Sequence, residues 1–170
     1  QPLTLIHAFK KAVASNPSLH LLMVGDGDQK EEAIELISKL NLSTNITLLS
    51  FRQDVPAILA ASDIFVLPSL WEGLPIGLLE AMSMGKAVIA SNVDGTSEII
   101  EHKRNGWLVE TNDLVNNTAE ALLNLSKDPE LRRQFSEKAR STVTQRFNAA
   151  TMTKEIEQVY TKILLRQASL

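Results

Sequence analysis

Residues 64–91 read IFVLPSLWEGLPIGLLEAMSMGKAVIAS, and this stretch decides the fold. Ile64 to Leu67 is an unbroken apolar run of strand length, as expected for a strand covered on both faces. Ile76 to Met84 has the length and composition of a helix, and Pro75 is preset for its first turn, where a missing N–H costs nothing. Ala87 to Ala90 is apolar again and reads as a second strand. Strand, helix and strand in succession make a βαβ unit, and repeated units make a parallel sheet with helices on both faces.

The alternation continues in both directions. Upstream, Leu3, Ile6, Phe9 and Val13 recur at helical spacing until Asn16-Pro17 ends the helix. Leu19 to Val24 reads as a strand buried on both faces, closed by the turn Gly25-Asp26-Gly27-Asp28. Asp28 with Glu31 has the form of a capping box for a helix bearing Ile34, Ile37 and Leu40. Ile46 to Phe51 is a strand and Val55 to Ala61 a short helix. Downstream, Ser97 to His102 reads as a short helix, Trp107 to Val109 as a last strand, and Asn112 to Leu125 as a helix. Asp128-Pro129 starts another helix, with a cap residue ahead of an N-terminal proline. Met152, Ile156, Val159 and Ile163 mark a final amphipathic helix, read as ordinary helix core. The expected fold class is α/β, a Rossmann-like three-layer parallel sheet, in one domain over residues 1–170.

Composition narrows the function classes. The chain has 170 residues, 44% hydrophobic and 22% charged, with a formal net charge of -3. Lys and Arg are scattered, which excludes the concentrated basic face that nucleic acid requires. There is no cysteine, so disulfides, thiolate metal sites and a Cys nucleophile are excluded. No run approaches the ~20 apolar residues that span a bilayer. Gln1 opens inside an apolar periodic segment without a leader pattern, so the chain is expected to be a fragment of a longer protein.

In an open parallel sheet, ligands bind beyond the carboxyl ends of the strands, which directs attention to the loop after Leu67. Three of the chain's seven glycines, Gly73, Gly77 and Gly85, fall between Pro68 and Gly85. Gly73 lets a backbone approach a ligand closely. The amides near Ile76 and Gly77 open a helix and lack intrahelical partners, an arrangement suited to a diphosphate. Glu72 stands in the loop. Glu80 lies inside the helix on the face of Ile76 and Met84, a costly place for a carboxylate unless a ligand hydrogen-bonds to it. Sugar and ribose hydroxyls are apt donors, because an ionised carboxylate accepts two at once.

The segment Glu72-Gly73-Leu74-Pro75 followed by Leu78-Leu79-Glu80-Ala81-Met82 and Gly85 resembles the donor-site signature of the retaining GT-B-fold "group 1" glycosyltransferases. Phe51-Arg52-Gln53-Asp54-Val55, residues 61–69, Ala87 to Ser91 and Asn105 to Val109 also resemble family segments, so the similarity covers nearly the whole chain. The resemblance implies a C-terminal donor-binding domain, one half of a GT-B fold, lacking its N-terminal acceptor domain. It implies that Glu72 binds donor-sugar hydroxyls and acts in catalysis, and that Glu80 binds ribose hydroxyls. It places Gly73, Leu74, Pro75 and Ile76 beside sugar and diphosphate, and the base near the loop at Arg52. The donor is a nucleotide-diphosphate sugar, uridine diphosphate by default. The acceptor is a glycan or lipid, and the intact protein is cytoplasmic or peripheral to the inner membrane. No cofactor is implied. Pro75 stands where many members have glycine, Asp94-Gly95-Thr96 replaces a commoner Gly-Gly pair, and a family Arg and Lys would precede Gln1.

Three rival readings carry different expectations. Asp26-Gly27-Asp28 spells a D-x-D metal motif, against which stands a strand-end turn plus a helix cap. A nucleotide-sugar epimerase shares the architecture, and fold alone does not separate it from a transferase. A non-enzymatic interaction module would bind no nucleotide. His7, His20 and His102 lie apart and outside the motif loop.

Overall fold

The computed structural model describes residues 1–167. Positions 168–170 of the expected domain lie outside the described residues. In chain order the elements are α1 (Pro2–Ser15), β1 (Leu21–Val24), α2 (Lys30–Lys39), β2 (Ile46–Leu49), α3 (Val55–Ala60) and β3 (Ile64–Leu67). There follow α4 (Ile76–Ser83), β4 (Ala87–Ser91), α5 (Asp94–Ser97), β5 (Trp107–Val109), a 3-10 turn (Thr111–Asp113), α6 (Leu114–Lys127), α7 (Pro129–Arg146) and α8 (Ala149–Gln167). The expected α/β alternation is the observed one.

All strand pairs are parallel, but they fall into two hydrogen-bonded sheets, β1-β2 and β3-β4-β5. The second sheet is the middle of three layers. Its period-2 alternation sends Ile64, Val66, Ala87, Ile89, Trp107 and Val109 to one core, shared with α1, α2 and α6. Phe65, Leu67, Val88, Ala90 and Leu108 face a second core with α3, α4, α7 and the Ile99-Ile100 pair that follows α5. Strand β4, central in this sheet, is buried along its whole length. Each fully buried aliphatic side chain contributes on the order of 1.5–3 kcal/mol relative to exposure.

The first sheet differs from expectation. Leu21, Met23, Ile46 and Leu48 pack into the first core, whereas Val24 and Thr47 on the opposite face are exposed. The run Leu19 to Val24 is therefore covered on one face, not two. A continuous apolar run records the hydrophobicity of both faces but not the presence of a second covering layer. The strand ends also move inward: β2 stops at Leu49, and Phe51 is an exposed loop residue.

Other local departures have local causes. Asp28 does not cap α2; Gln29 is the N-cap residue and makes no side-chain cap bond. Lys30 N–H donates to the Gly27 carbonyl at 3.1 Å, and its ammonium pairs with Asp26, so the first turn winds about Lys30. The helix expected at Ser97 to His102 lies earlier, at Asp94–Ser97. There the Thr96 hydroxyl bonds to the carbonyls of Ser91 and Val93 and fixes the turn against the end of β4. Helix α8 carries Met152, Ile156, Val159 and Ile163 at its surface, all exposed, so it is not core within this chain.

The Asp128 cap is as expected: its Oδ1 accepts from Leu131 N–H at 2.9 Å. Asp128→Ala is expected to lower stability by about 1 kcal/mol, the usual worth of such a cap. Urea denaturation would show this as a lower midpoint at unchanged slope; an unchanged midpoint would contradict the assignment.

Candidate functional site

The loops leaving the strand ends are built on one another. The segment 68–75 starts at buried Pro68 and runs to Pro75, the N-cap of α4, whose carbonyl accepts from Leu78 and Leu79 at 3.1 and 3.2 Å. The helix starts at Ile76, as expected, and Pro75 leads into its first turn from the N-cap position with an extended ψ of 94°. The amides of Ile76 and Gly77 have no backbone partner among the described residues. They form the positive end of an eight-residue helix and face outward at an exposed position.

Glu72 is half-buried, and its Oε1 accepts the Ser69 hydroxyl at 2.6 Å. No ion pair involves Glu72 or Glu80 among the described residues. Most of the hydrogen-bonding capacity of Glu72, and the whole of the Glu80 carboxylate, is therefore open to a ligand. Glu80 was expected on an otherwise apolar buried face. In the fold that face is solvent-exposed: Glu80 is exposed, as are Ile76 and Met84 on either side. The buried face of α4 is instead Leu78, Ala81 and Met82, which lies on β3, β4 and α7. The carboxylate is free because it is exposed, with no burial cost to offset.

The position of the Glu72 loop is set by α5. Gly95 N–H donates to the Glu72 carbonyl at 3.2 Å. A Cβ on Gly95 would stand 1.9 Å from the Gly73 carbonyl oxygen, 2.7 Å from its carbon and 2.8 Å from the Glu72 oxygen. The two backbones touch, and glycine is the residue that permits it. Ser91, fully buried at the end of β4, donates to the Leu67 carbonyl at 3.5 Å. The loop after β3 thus rests on the segment after β4.

Glu72, Gly73, Leu74, Pro75 and Ile76 follow one another in the chain, with Pro75 buried, and Glu80 lies ~6 Å further along the axis of α4 than Ile76. Arg52 is on the loop after β2, in the other sheet. Its guanidinium forms a two-pronged pair with Asp54, at 2.7 and 2.6 Å, with both side chains largely exposed. The pair holds the Asp54 carboxyl below its ordinary range. Two of the five guanidinium N–H donors are engaged in this way. No hydrogen bond or ion pair among the described residues joins it to the Glu72 segment.

Asp26 is likewise occupied. Its Oδ2 accepts from Phe51 N–H at 2.8 Å, and its Oδ1 takes the Lys30 ammonium at 2.5 Å. The D-x-D reading gains no support: among the described residues no three His, Cys, Asp or Glu side chains converge as metal ligands. Sequence reasoning missed two positions. The Ser69–Glu72 bond could have been suspected from its three-residue spacing; nothing local in Asp94-Gly95-Thr96 discloses the approach of Gly73. Surface concavities lie along α8, at Lys154, Glu157 and Thr161, and along α7, and neither touches the strand-end loops. The rim of those loops is open and partly apolar, with Trp71 79% and Phe51 71% exposed.

Unpaired helix amides and free carboxylates at the end of a Rossmann-like parallel sheet are an arrangement suited to a polar, anionic small molecule. Comparison with known proteins makes this specific: residues 1–142 match the family model described as glycosyl transferases group 1, and the chain belongs to that family. It is 33% identical over 169 residues to the Escherichia coli UDP-Gal:alpha-D-GlcNAc-diphosphoundecaprenol alpha-1,3-galactosyltransferase, covering 98% of this chain and 43% of that protein. Among solved structures it is similar to Anabaena HepE in complex with UDP and glucose, at a TM-score of 0.84 and 27% identity, over 92% of this chain and 44% of that one. It is also similar to the C-terminal domain of the group 1 family protein LpcC from Francisella tularensis, at a TM-score of 0.79 and 28% identity, covering 86% and 79%. The fold is one half of a GT-B architecture, and the chain is a domain of the glycosyl transferases group 1 family. It spans less than half the length of the first curated relatives it matches.

Proposed function

We propose that this chain is the donor-binding half of a retaining glycosyltransferase that takes a uridine diphosphate sugar and passes the sugar to a glycan or lipid acceptor. The observation that carries the reading is the juxtaposition of Glu72, engaged by a single hydroxyl, with the open amides of Ile76 and Gly77. A carboxylate suits sugar hydroxyls, and the helix end suits the diphosphate. Similarity to proteins whose names or crystal contents include UDP and UDP-galactose supports uridine as the base.

On this reading Glu72 holds donor-sugar hydroxyls and orients the anomeric carbon. Gly73, Leu74, Pro75 and Ile76 line the sugar and diphosphate. Negative charge accumulates on the departing diphosphate as the glycosidic bond breaks, and the amides of Ile76 and Gly77 are placed to stabilise it. Glu80 binds the ribose hydroxyls, and the backbone at Arg52 lies against the base. An acceptor domain outside these 170 residues supplies the second substrate and excludes water. The partial coverage of relatives supports that division. Among the described residues no helix is long and apolar enough to cross a membrane. A cytoplasmic enzyme, peripheral to the inner membrane when its acceptor is a lipid, fits the reading.

Calorimetry tests it, using the chain extended upstream and a panel of uridine, guanosine and adenosine diphosphates and their sugars. Saturable binding of one nucleotide class, unchanged by a chelator, is expected. Binding that the chelator abolishes would overturn the metal-independent part, and no binding by the extended protein would overturn the whole. Conversion of the donor to a sugar epimer without acceptor would favour the epimerase instead.

A further inference from the structure

The carboxylate of Asp26 ties together two loops that the sheet leaves separate. It sits in the turn after β1, where Gly25 takes a φ of 134° and carries the chain out of the strand. Gly25 N–H still bonds to the Leu49 carbonyl at 2.9 Å, so the two strands stay paired to their ends. Beyond that point no ladder bond is available, and Asp26 replaces it: Oδ2 accepts from Phe51 N–H at 2.8 Å. Lys30, from the first turn of α2, closes the arrangement by donating to Asp26 Oδ1 at 2.5 Å and to the Ser50 hydroxyl at 3.0 Å. The loop is gripped at Ser50 and Phe51 from one side, and at Arg52 by its pair with Asp54 from the other. Between these anchors the backbone groups of Arg52 and the amide of Gln53 have no backbone partner among the described residues. They are exposed at the carboxyl end of β2.

We propose that Asp26, with Lys30 behind it, is a positioning residue that holds the loop 50–53 so that its free backbone groups read the edge of the nucleotide base. The inference rests on the proposed donor site and adds to it the source of base selectivity. Backbone groups discriminate between bases only if they are fixed, because a mobile loop adapts to any hydrogen-bonding edge. A charge-assisted bond from a carboxylate to a loop amide is a strong way to fix one. The Lys30 ammonium and the Phe51 amide both hold the Asp26 carboxyl below its ordinary range, as expected of a carboxylate kept ionised by its partners. The arrangement also gives the first aspartate of the D-x-D sequence a role that involves no metal.

The test uses the upstream-extended protein and its Asp26→Ala and Lys30→Gln variants, with calorimetry against UDP, GDP, ADP and inorganic pyrophosphate. Asp26→Ala is expected to weaken the preferred nucleoside diphosphate about tenfold, the usual worth of one lost hydrogen bond to a charged group. Pyrophosphate binding is expected to stay unchanged and the preference among bases to narrow. Lys30→Gln, which leaves the Asp26–Phe51 bond in place, is expected to shift the same way by less. Hydrogen exchange at the Phe51 amide of the free protein is expected to quicken in Asp26→Ala. An equal loss for all four ligands would mark a merely structural role and overturn the inference, as would unchanged base preference with intact folding. Absence of nucleotide binding by the unsubstituted protein would instead remove the donor site on which the inference stands.

Discussion

Replacing Glu72 with glutamine is expected to lower the rate of sugar transfer at saturating donor by about 100-fold, within the range found when one preorganised polar contact to a reacting group is removed. The substitution keeps size and shape. The Ser69 hydroxyl, 2.6 Å from Oε1, donates to an amide oxygen as well as to a carboxylate, so the loop has no reason to rearrange. What is lost is the charge and one of two acceptors for the sugar hydroxyls. The fall is expected in kcat more than in KM, because nucleotide and diphosphate contacts lie elsewhere on the surface. Initial rates with the upstream-extended enzyme and its acceptor measure this. A change of less than about threefold, against that ~100-fold, would remove Glu72 from the reaction.

Gly95→Ala is the second large effect. Its Cβ would overlap the Gly73 carbonyl at 1.9 Å and the Glu72 carbonyl at 2.8 Å, and both contacts are with backbone. A flexible side chain can turn aside, whereas here the whole loop must lift. Overpacking of this kind costs about 1–3 kcal/mol, and the Gly95–Glu72 backbone bond breaks with it. The loop carries Glu72 and leads into α4, so donor affinity is expected to fall at least ~10-fold as well, in line with the sensitivity of sites to displacements of an ångström. Gly73→Ala is the contrasting substitution, since its Cβ meets nothing within 4 Å and stability should stay within about 0.5 kcal/mol. Thermal unfolding and calorimetry on both variants decide the matter. Equal stability of Gly95→Ala and the parent protein would show that the loop is not seated on α5.

The alternation of strands and helices was legible because both cores are written in local apolar runs, and because Asp128-Pro129 signals a helix start by chemistry confined to a few residues. The segment from Glu72 to Ile76 was legible for the same reason, being contiguous in the chain. What escaped detection depends on partners distant in sequence. Leu19 to Val24 does not say whether a second layer covers it. Asp28 has the spacing of a cap, but the pairing of Lys30 with Asp26 moves the helix start past it. Glu80 shares a face with Ile76 and Met84, and the inference that this face is buried failed because α4 turns Leu78, Ala81 and Met82 inward. The contact of Gly95 with Gly73 joins segments more than twenty residues apart. Methionines and isoleucines along α8 mark an amphipathic helix but not what covers it.

The central claim is that Glu72 and Glu80 grip the alcohol groups of a nucleotide sugar whose diphosphate rests on the start of α4. A crystal structure of the upstream-extended protein with a uridine diphosphate sugar tests it most directly. The account predicts sugar hydroxyls on the Glu72 carboxylate and ribose hydroxyls on Glu80, each at about 3 Å or less, with phosphate oxygens facing the amides of Ile76 and Gly77. A nucleotide bound with its sugar and ribose turned away from both carboxylates, or seated away from the ends of the strands, would contradict it.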